Sequence, residues 1–166
     1  KFGDYLMCSP SVLRSALSKQ GASLQNARNN KRLGDLLIEC GAITEVERQQ
    51  AVQLQRLARL QACPLFESLT HSELISLSQH FDEVSVAAGN TFINETEEDR
   101  SLYVVASGQL ELYRTDRDGG ELFIALVGPG QSLGEMGYFS GDVRTASVRA
   151  LEAVELLCAS YDDLTH

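Results

Sequence analysis

The residues best placed to do chemistry lie between Gly128 and Ala150, in the stretch GPGQSLGEMGYFSGDVRTASVRA. A Gly128-Pro129-Gly130 turn leads into Gly134-Glu135-Met136-Gly137, and Arg144 follows nine positions after the glutamate. Small residues let backbone approach a ligand closely, and a short helix starting here would turn N–H groups towards an anion. The Arg144 guanidinium is a fixed, permanently charged fork that matches a phosphate. An ionised Glu135 only accepts hydrogen bonds, so beside a phosphate its natural partner is a sugar hydroxyl. Phosphate and ribose together describe a nucleotide. No base, nucleophile or metal set accompanies Arg144, so the pattern is one of binding and not of catalysis. Leu133 and Met136 are expected to be core residues beneath the turn.

The other reactive residue types are scattered. Cys8, Cys40, Cys63 and Cys158 form no CxxC pair, and His71, His80 and His166 show no ligand spacing. Reduced thiols account for the cysteines, and neither a metal nor a cofactor is expected.

The elements that must position the glycine–glutamate–arginine segment are strands. From Val84 onward the pattern is one of short apolar runs, expected near 84–87, 91–94, 102–107, 109–115, 121–127, 132–134, 145–150 and 154–158. Gly89-Asn90, Gly108, Asp118-Gly119-Gly120, Gly128-Pro129-Gly130 and Gly141-Asp142 mark turns between them. Eight short strands at this spacing indicate a jelly roll. Thr70-His71-Ser72-Glu73 is a capping box that starts a helix to about His80, and Tyr161 begins another helix.

The amino-terminal part reads as helices and holds an imperfect repeat. Lys1-Phe2-Gly3-Asp4 aligns with Arg32-Leu33-Gly34-Asp35, and each copy reads as a short helix, a break and a capped second helix. Ser9-Pro10 starts the second helix of copy one, and Asn26 to Asn30 suit a loop. In copy two Gly41 ends the first helix, and Thr44 with Glu47 forms a capping box. The second helix runs from Glu45 to about Ala62, with Ala51, Leu54, Leu57, Ala58 and Ala62 as an apolar stripe, until Pro64 stops it. The expected class is α+β: a small helical domain over residues 1–62, then an eight-stranded β jelly roll with flanking helices over 63–166.

Charge divides at the same place. The 166 residues carry a net charge of −9. Residues 1–62 hold nine Lys and Arg against five Asp and Glu, a net +4, whereas residues 63–166 hold five against eighteen, a net −13. The acidic balance of the second part opposes DNA binding, which needs a basic footprint. No apolar run approaches the ~20 residues that span a bilayer, so membrane insertion is not expected. Lys1 is not a start methionine, which marks a fragment; no signal peptide is visible, and a cytoplasmic location is expected.

Two resemblances sharpen these readings. Leu133-Gly134-Glu135-Met136-Gly137 followed by Arg144-Thr145-Ala146-Ser147-Val148 resembles the phosphate-binding cassette of cyclic-nucleotide-binding domains, and the likeness extends from about Pro64 to Leu164. It takes in PLFESLTHSELISLSQHF, SLYVVASGQLELYR, DRDGGE and LVGPGQSLGEMG. The resemblance implies a bacterial, non-catalytic sensor for cAMP or cGMP, with cAMP favoured, relayed to a protein partner through helical segments. Arg144 would pair with the cyclic phosphate and Glu135 would accept from the ribose 2′-hydroxyl. Backbone at Gly134, Met136, Gly137 and Thr145 would line phosphate and sugar. Gly137 stands where the family commonly has alanine.

The second copy of the repeat resembles the motif in the N-terminal domain of type II secretion and type IV pilus assembly ATPases, some of which bind cyclic di-GMP. Arg32, Gly34 and Gln55 would be the matching polar or close-approach positions, and Leu33 and Leu37 would pack on guanine. Lys1-Phe2-Gly3 in copy one and the spacer at residues 21–31 depart from that motif. A helical protein-interaction module without nucleotide is the alternative there. For the chain as a whole the alternatives are a nucleotide-independent scaffold, or the regulatory end of a larger enzyme or transcription factor.

Overall fold

The computed structural model describes residues 2–6, 8–25, 33–140 and 143–164. Lys1, the loop expected at Asn26–Asn30, Arg32, the Gly141-Asp142 turn and His166 lie outside these residues. Packing divides the chain into Lys1–Arg56 and Leu57–His166. The division falls inside a helix, six residues before the expected boundary, because Leu57 and Leu60 near that helix's end pack into the core of the second unit.

In the first unit, a 3-10 turn at Phe2–Tyr5 precedes α1 (Pro10–Gln25), followed by α2 (Leu33–Glu39) and α3 (Glu45–Gln61). Gly41 has a positive φ, and the Gly41 and Ala42 N–H groups donate back to the Ile38 and Leu37 carbonyls, closing α2. The Thr44 capping box forms as expected: Thr44 N–H donates to the Glu47 carboxylate at 2.7 Å, and Glu47 N–H donates to the Thr44 hydroxyl at 3.2 Å. Leu6, Ala16, Leu37, Ile43 and Ala51 make the core. The expected α3 stripe is only partly buried: Ala51 is enclosed but Leu54 is 51% exposed, and it is Leu60, off that stripe, that is fully enclosed.

The second unit contains α4 (His71–Ser78), α5 (Glu135–Ser140), α6 (Tyr161–Leu164) and eight strands: β1 (Asp82–Val86), β2 (Thr91–Ile93), β3 (Ser101–Ser107), β4 (Leu110–Thr115), β5 (Glu121–Val127), β6 (Ser132–Leu133), β7 (Ser147–Ala150) and β8 (Val154–Ser160). They form two four-stranded antiparallel sheets in the orders β1-β8-β3-β6 and β2-β7-β4-β5. All eight expected strands are present. β7 starts two residues after the expected position, because 143–146 is irregular backbone.

The first sheet is covered on both faces, which explains the apolar runs Leu102–Ala106 in β3 and Leu156–Ala159 in β8. Leu102, Val104, Leu157 and Ala159 face Leu60, Phe66, Leu74, Phe81 and Tyr161 of the helical layer. Their neighbours Val105, Val154 and Leu156 face Ile93, Leu110, Val127 and Val148 of the second sheet. On the outer face of that second sheet Arg149 reaches both Glu111 and Glu121 and lies 4.7 Å over the Tyr113 ring. The edge strand β5 leaves Leu122, Phe123, Ile124 and Leu126 exposed. Gly108, at φ +87, turns β3 into β4 where an added Cβ would strike the Ala153 carbonyl and Val154.

The Thr70 capping box opens α4 with both reciprocal bonds, and Phe81 sits edge-on to Phe66 at 6.0 Å with no exposure. Thr70→Ala is expected to cost about 1 kcal/mol of unfolding free energy. Phe81→Ala is expected to cost about 3–5 kcal/mol, because it leaves a cavity in the helix–sheet layer. Urea denaturation of the two variants checks both values and their ranking.

Candidate functional site

Gly134 to Ser140 and Val143 to Ala146 connect β6 to β7 in the chain. Gly134 has φ +96, and a Cβ placed there would collide with the Arg144 guanidinium and the Ser101 carbonyl. The glycine is therefore required twice, by its backbone conformation and by the arginine lying beneath it. Helix α5 begins directly afterwards at Glu135.

Arg144 is buried, at 7% exposure, although it follows an exposed residue and precedes another. One terminal nitrogen, Nη2, donates to Asp99 Oδ2 at 2.8 Å and to the Ser101 carbonyl. The other, Nη1, donates to the Tyr161 hydroxyl at 3.3 Å. Tyr161, the first residue of α6, in turn donates to the Gly134 carbonyl. Burial raises the Tyr161 phenol above its ordinary pKa, so it stays a donor across the physiological range. Asp99 also accepts from the Tyr103 hydroxyl at 3.1 Å, and the guanidinium carbon lies 5.8 Å over the Tyr103 ring. Burial likewise raises the Tyr103 pKa.

The backbone of Arg144 is held as firmly as its side chain. Its N–H donates to the Glu97 carbonyl at 3.0 Å, and its carbonyl accepts from Thr96 N–H at 2.8 Å. The turn that supplies these partners is closed by Glu97, whose carboxylate accepts from the Asn94 N–H and the Asn94 side-chain amide. Those bonds, the backbone one foremost, lower the Glu97 pKa.

Gly134, Glu135, Met136, Gly137, Arg144 and Thr145 all line one cavity of about 440 Å³. The volume is within the roughly 300–1,000 Å³ of small-molecule sites. Ile93, Leu112, Leu133, Val143, Ala146 and Val148 complete the wall and make the rest of it apolar. Two polar atoms of this wall are buried without a hydrogen-bond partner: Arg144 Nε and Glu135 Oε2. Burying such groups unpaired is costly, and here an unpaired donor and an unpaired acceptor belong to two residues that line one cavity. Glu135 also borders an apolar groove of about 230 Å³ formed by Leu65, Phe66, Leu69, Leu77, Leu102 and Leu164.

The six residues picked out between Gly134 and Thr145 are thus brought together. Met136 differs from its expected role as a core residue: it is 65% exposed, because the short α5 lies across the cavity and not over the core. Leu133 is buried as expected. Asp99, Tyr103 and Tyr161 were not singled out from the sequence. Asp99 ends the acidic run Glu95-Thr96-Glu97-Glu98-Asp99, which reads as a solvated loop, and only the fold reveals its arginine.

In the helical unit, Leu37 is fully enclosed, with Ile43 and Ala51 as neighbours in the core, and Gly34 is buried. Leu37 is therefore spent on the core and has no face for stacking on guanine. Leu33 packs on the same core and Gln55 is partly exposed on α3. Among the described residues no cluster of three or more His, Cys, Asp or Glu could hold a metal, and no helix is long and apolar enough to cross a membrane.

Gly134→Ala is expected to displace Arg144 and to destabilise the second unit by about 1–3 kcal/mol. Gly128→Ala, where nothing stands closer than 4.0 Å to the added carbon, is the matched control and should be close to neutral. Thermal unfolding of the pair checks this contrast.

Comparison with known proteins agrees with this geometry. The cyclic nucleotide-binding domain model matches residues 83–166. The cyclic AMP receptor protein of Thermus thermophilus is 34% identical over 104 residues, covering 63% of this chain and 48% of that protein. The chain spans about half the length of the curated relatives it matches first. The regulatory domain of Toxoplasma gondii PKA, solved with cAMP, superposes with a TM-score of 0.65 at 28% identity, over 69% of this chain and 44% of that one. The N-terminal domain of a transcriptional regulator from Streptomyces coelicolor gives a TM-score of 0.59 at 38% identity, over 63% of this chain and 73% of that one. With the family model covering half the chain and the cassette folded around a buried arginine, the chain belongs to the cyclic nucleotide-binding domain family.

Proposed function

We propose that this chain is a non-catalytic sensor that takes cAMP into the cavity beneath Gly134–Thr145 and relays its presence through the helical layer. The observation that carries the reading is the pair of unpartnered buried atoms on one wall, Arg144 Nε and Glu135 Oε2. A ring-closed ribose phosphate supplies both missing partners, an anionic oxygen for the guanidinium and a 2′-hydroxyl for the carboxylate. The apolar remainder of the wall, with Ile93, Leu112 and Val148, suits a purine. Preference for cAMP over cGMP draws support from the names of two relatives, a cyclic AMP receptor protein and a cAMP-activated regulator of Mycobacterium tuberculosis.

The relay has a physical starting point in Tyr161. Its hydroxyl touches both ends of the cassette, the Gly134 carbonyl and Arg144, and it opens α6. A phosphate that draws Arg144 towards the cavity must disturb those bonds, so ligand binding and the position of α6 are coupled. Binding then acts by shifting a population and not by chemistry on the nucleotide.

Isothermal titration with cAMP, cGMP and cyclic di-GMP tests the reading. The expected result is saturable heat with cAMP, weaker binding of cGMP, and loss of at least a hundredfold in affinity in Arg144→Ala, the scale of removing a charge-assisted pair. Glu135→Gln should weaken binding less, by about tenfold. Silence with all three nucleotides would favour a scaffold that recruits partners without ligand.

A further inference from the structure

The stretch 143–146 carries the cassette arginine yet has no regular secondary structure, and the ladder with β4 begins only at Ser147. Its shape must therefore be imposed from outside. One support is the turn at residues 94–97, which takes both backbone groups of Arg144. Thr96 in that turn has φ +73, a left-handed conformation that a β-branched residue adopts only when its neighbours dictate it.

The second support is a side chain. Arg114, at the end of β4, donates from Nε to the Thr145 carbonyl at 2.6 Å. The same nitrogen lies 3.4 Å from Glu95 Oε1. Glu95 is itself tied on two sides: its other oxygen accepts from Thr115 N–H at 3.3 Å, and its N–H donates to the Ser147 hydroxyl at 2.9 Å. Arg114, Glu95 and Ser147 thus close a bracket around Thr145. Thr145 lines the cavity, whereas Arg114 does not and is half exposed.

Resting on the nucleotide-sensing reading above, we infer that Arg114 is a positioning residue for the ligand. It pins the Thr145 carbonyl from outside the cavity and so fixes the backbone that presents Thr145 and Arg144 to the phosphate. Its charge serves the protein's own carbonyl and Glu95, and the nucleotide feels it only through the placement of Thr145. A conservative change that keeps a donor should therefore retain much of the effect.

The test measures cAMP affinity in the unsubstituted chain and in Arg114→Met, Arg114→Lys and Arg144→Ala, with amide hydrogen exchange recorded without nucleotide. Arg114→Met is expected to weaken cAMP by about tenfold, the scale of one lost charged hydrogen bond. Arg114→Lys should recover to within about threefold, since its ammonium can donate to the same carbonyl. Exchange at residues 144–147 should quicken in Arg114→Met while β3 and β8 stay as protected as before. Unchanged affinity in Arg114→Met alongside lost affinity in Arg144→Ala overturns the inference and leaves the sensing function standing. Loss of protection throughout the roll, with Arg114→Lys as weak as Arg114→Met, also overturns it, because Arg114 would then be a general stability residue. No cAMP binding by the unsubstituted chain overturns both.

Discussion

A guanidinium cannot be taken out of water without partners, and the second unit is arranged around that constraint. Arg144 draws on an aspartate just before β3, a carbonyl at the start of β3, a tyrosine at the head of α6 and two backbone groups in the turn after β2. Four of these five contacts come from residues 96–101 and the fifth from Tyr161, both far from Arg144 in sequence, and they meet it because the roll brings these strand ends together. Gly134 is glycine for the same reason, since the arginine occupies the space a side chain would need. The buried charge thereby orders the loop that surrounds it.

The satisfaction is incomplete in chemical terms. Arg144 spends its terminal nitrogens on the protein and leaves Nε without a partner, while Glu135, which lines the same cavity, leaves Oε2 without one. A fully satisfied pair would fold as well but would have nothing left for a ligand. The surrounding charge suits this economy: the part of the chain after residue 62 has only five cations. Arg100, Arg114, Arg144 and Arg149 among them each face a carboxylate. Anionic ligand recognition in such an acidic domain depends on where one cation is held, and not on a broad positive field.

Much of this was legible in the residues. The eight strands were marked by turn glycines and by apolar runs, and the cassette by Gly134, Glu135 and Arg144 at their spacing. Capping boxes at Thr44 and Thr70 were legible because their chemistry is local. What escaped was set by tertiary contact. Asp99 reads as one more acid in a loop until β3 places it against Arg144. Arg114 reads as a solvated strand end until Thr145 folds over it. Leu54 fits an apolar stripe by periodicity yet stays exposed, although Ala51 on the same stripe is enclosed. Met136 fails in the same way, since periodicity carries no information about a six-residue helix laid across a cavity.

The central claim is that a nucleotide completes the hydrogen bonding of one buried arginine and one carboxylate. A crystal structure of the chain grown with cAMP tests it most directly. The account expects a cyclic-phosphate oxygen about 2.7–2.9 Å from Arg144 Nε and the ribose 2′-hydroxyl donating to Glu135. Nucleotide bound elsewhere, or Arg144 still committed only to Asp99, Ser101 and Tyr161 with cAMP in the cavity, would contradict it.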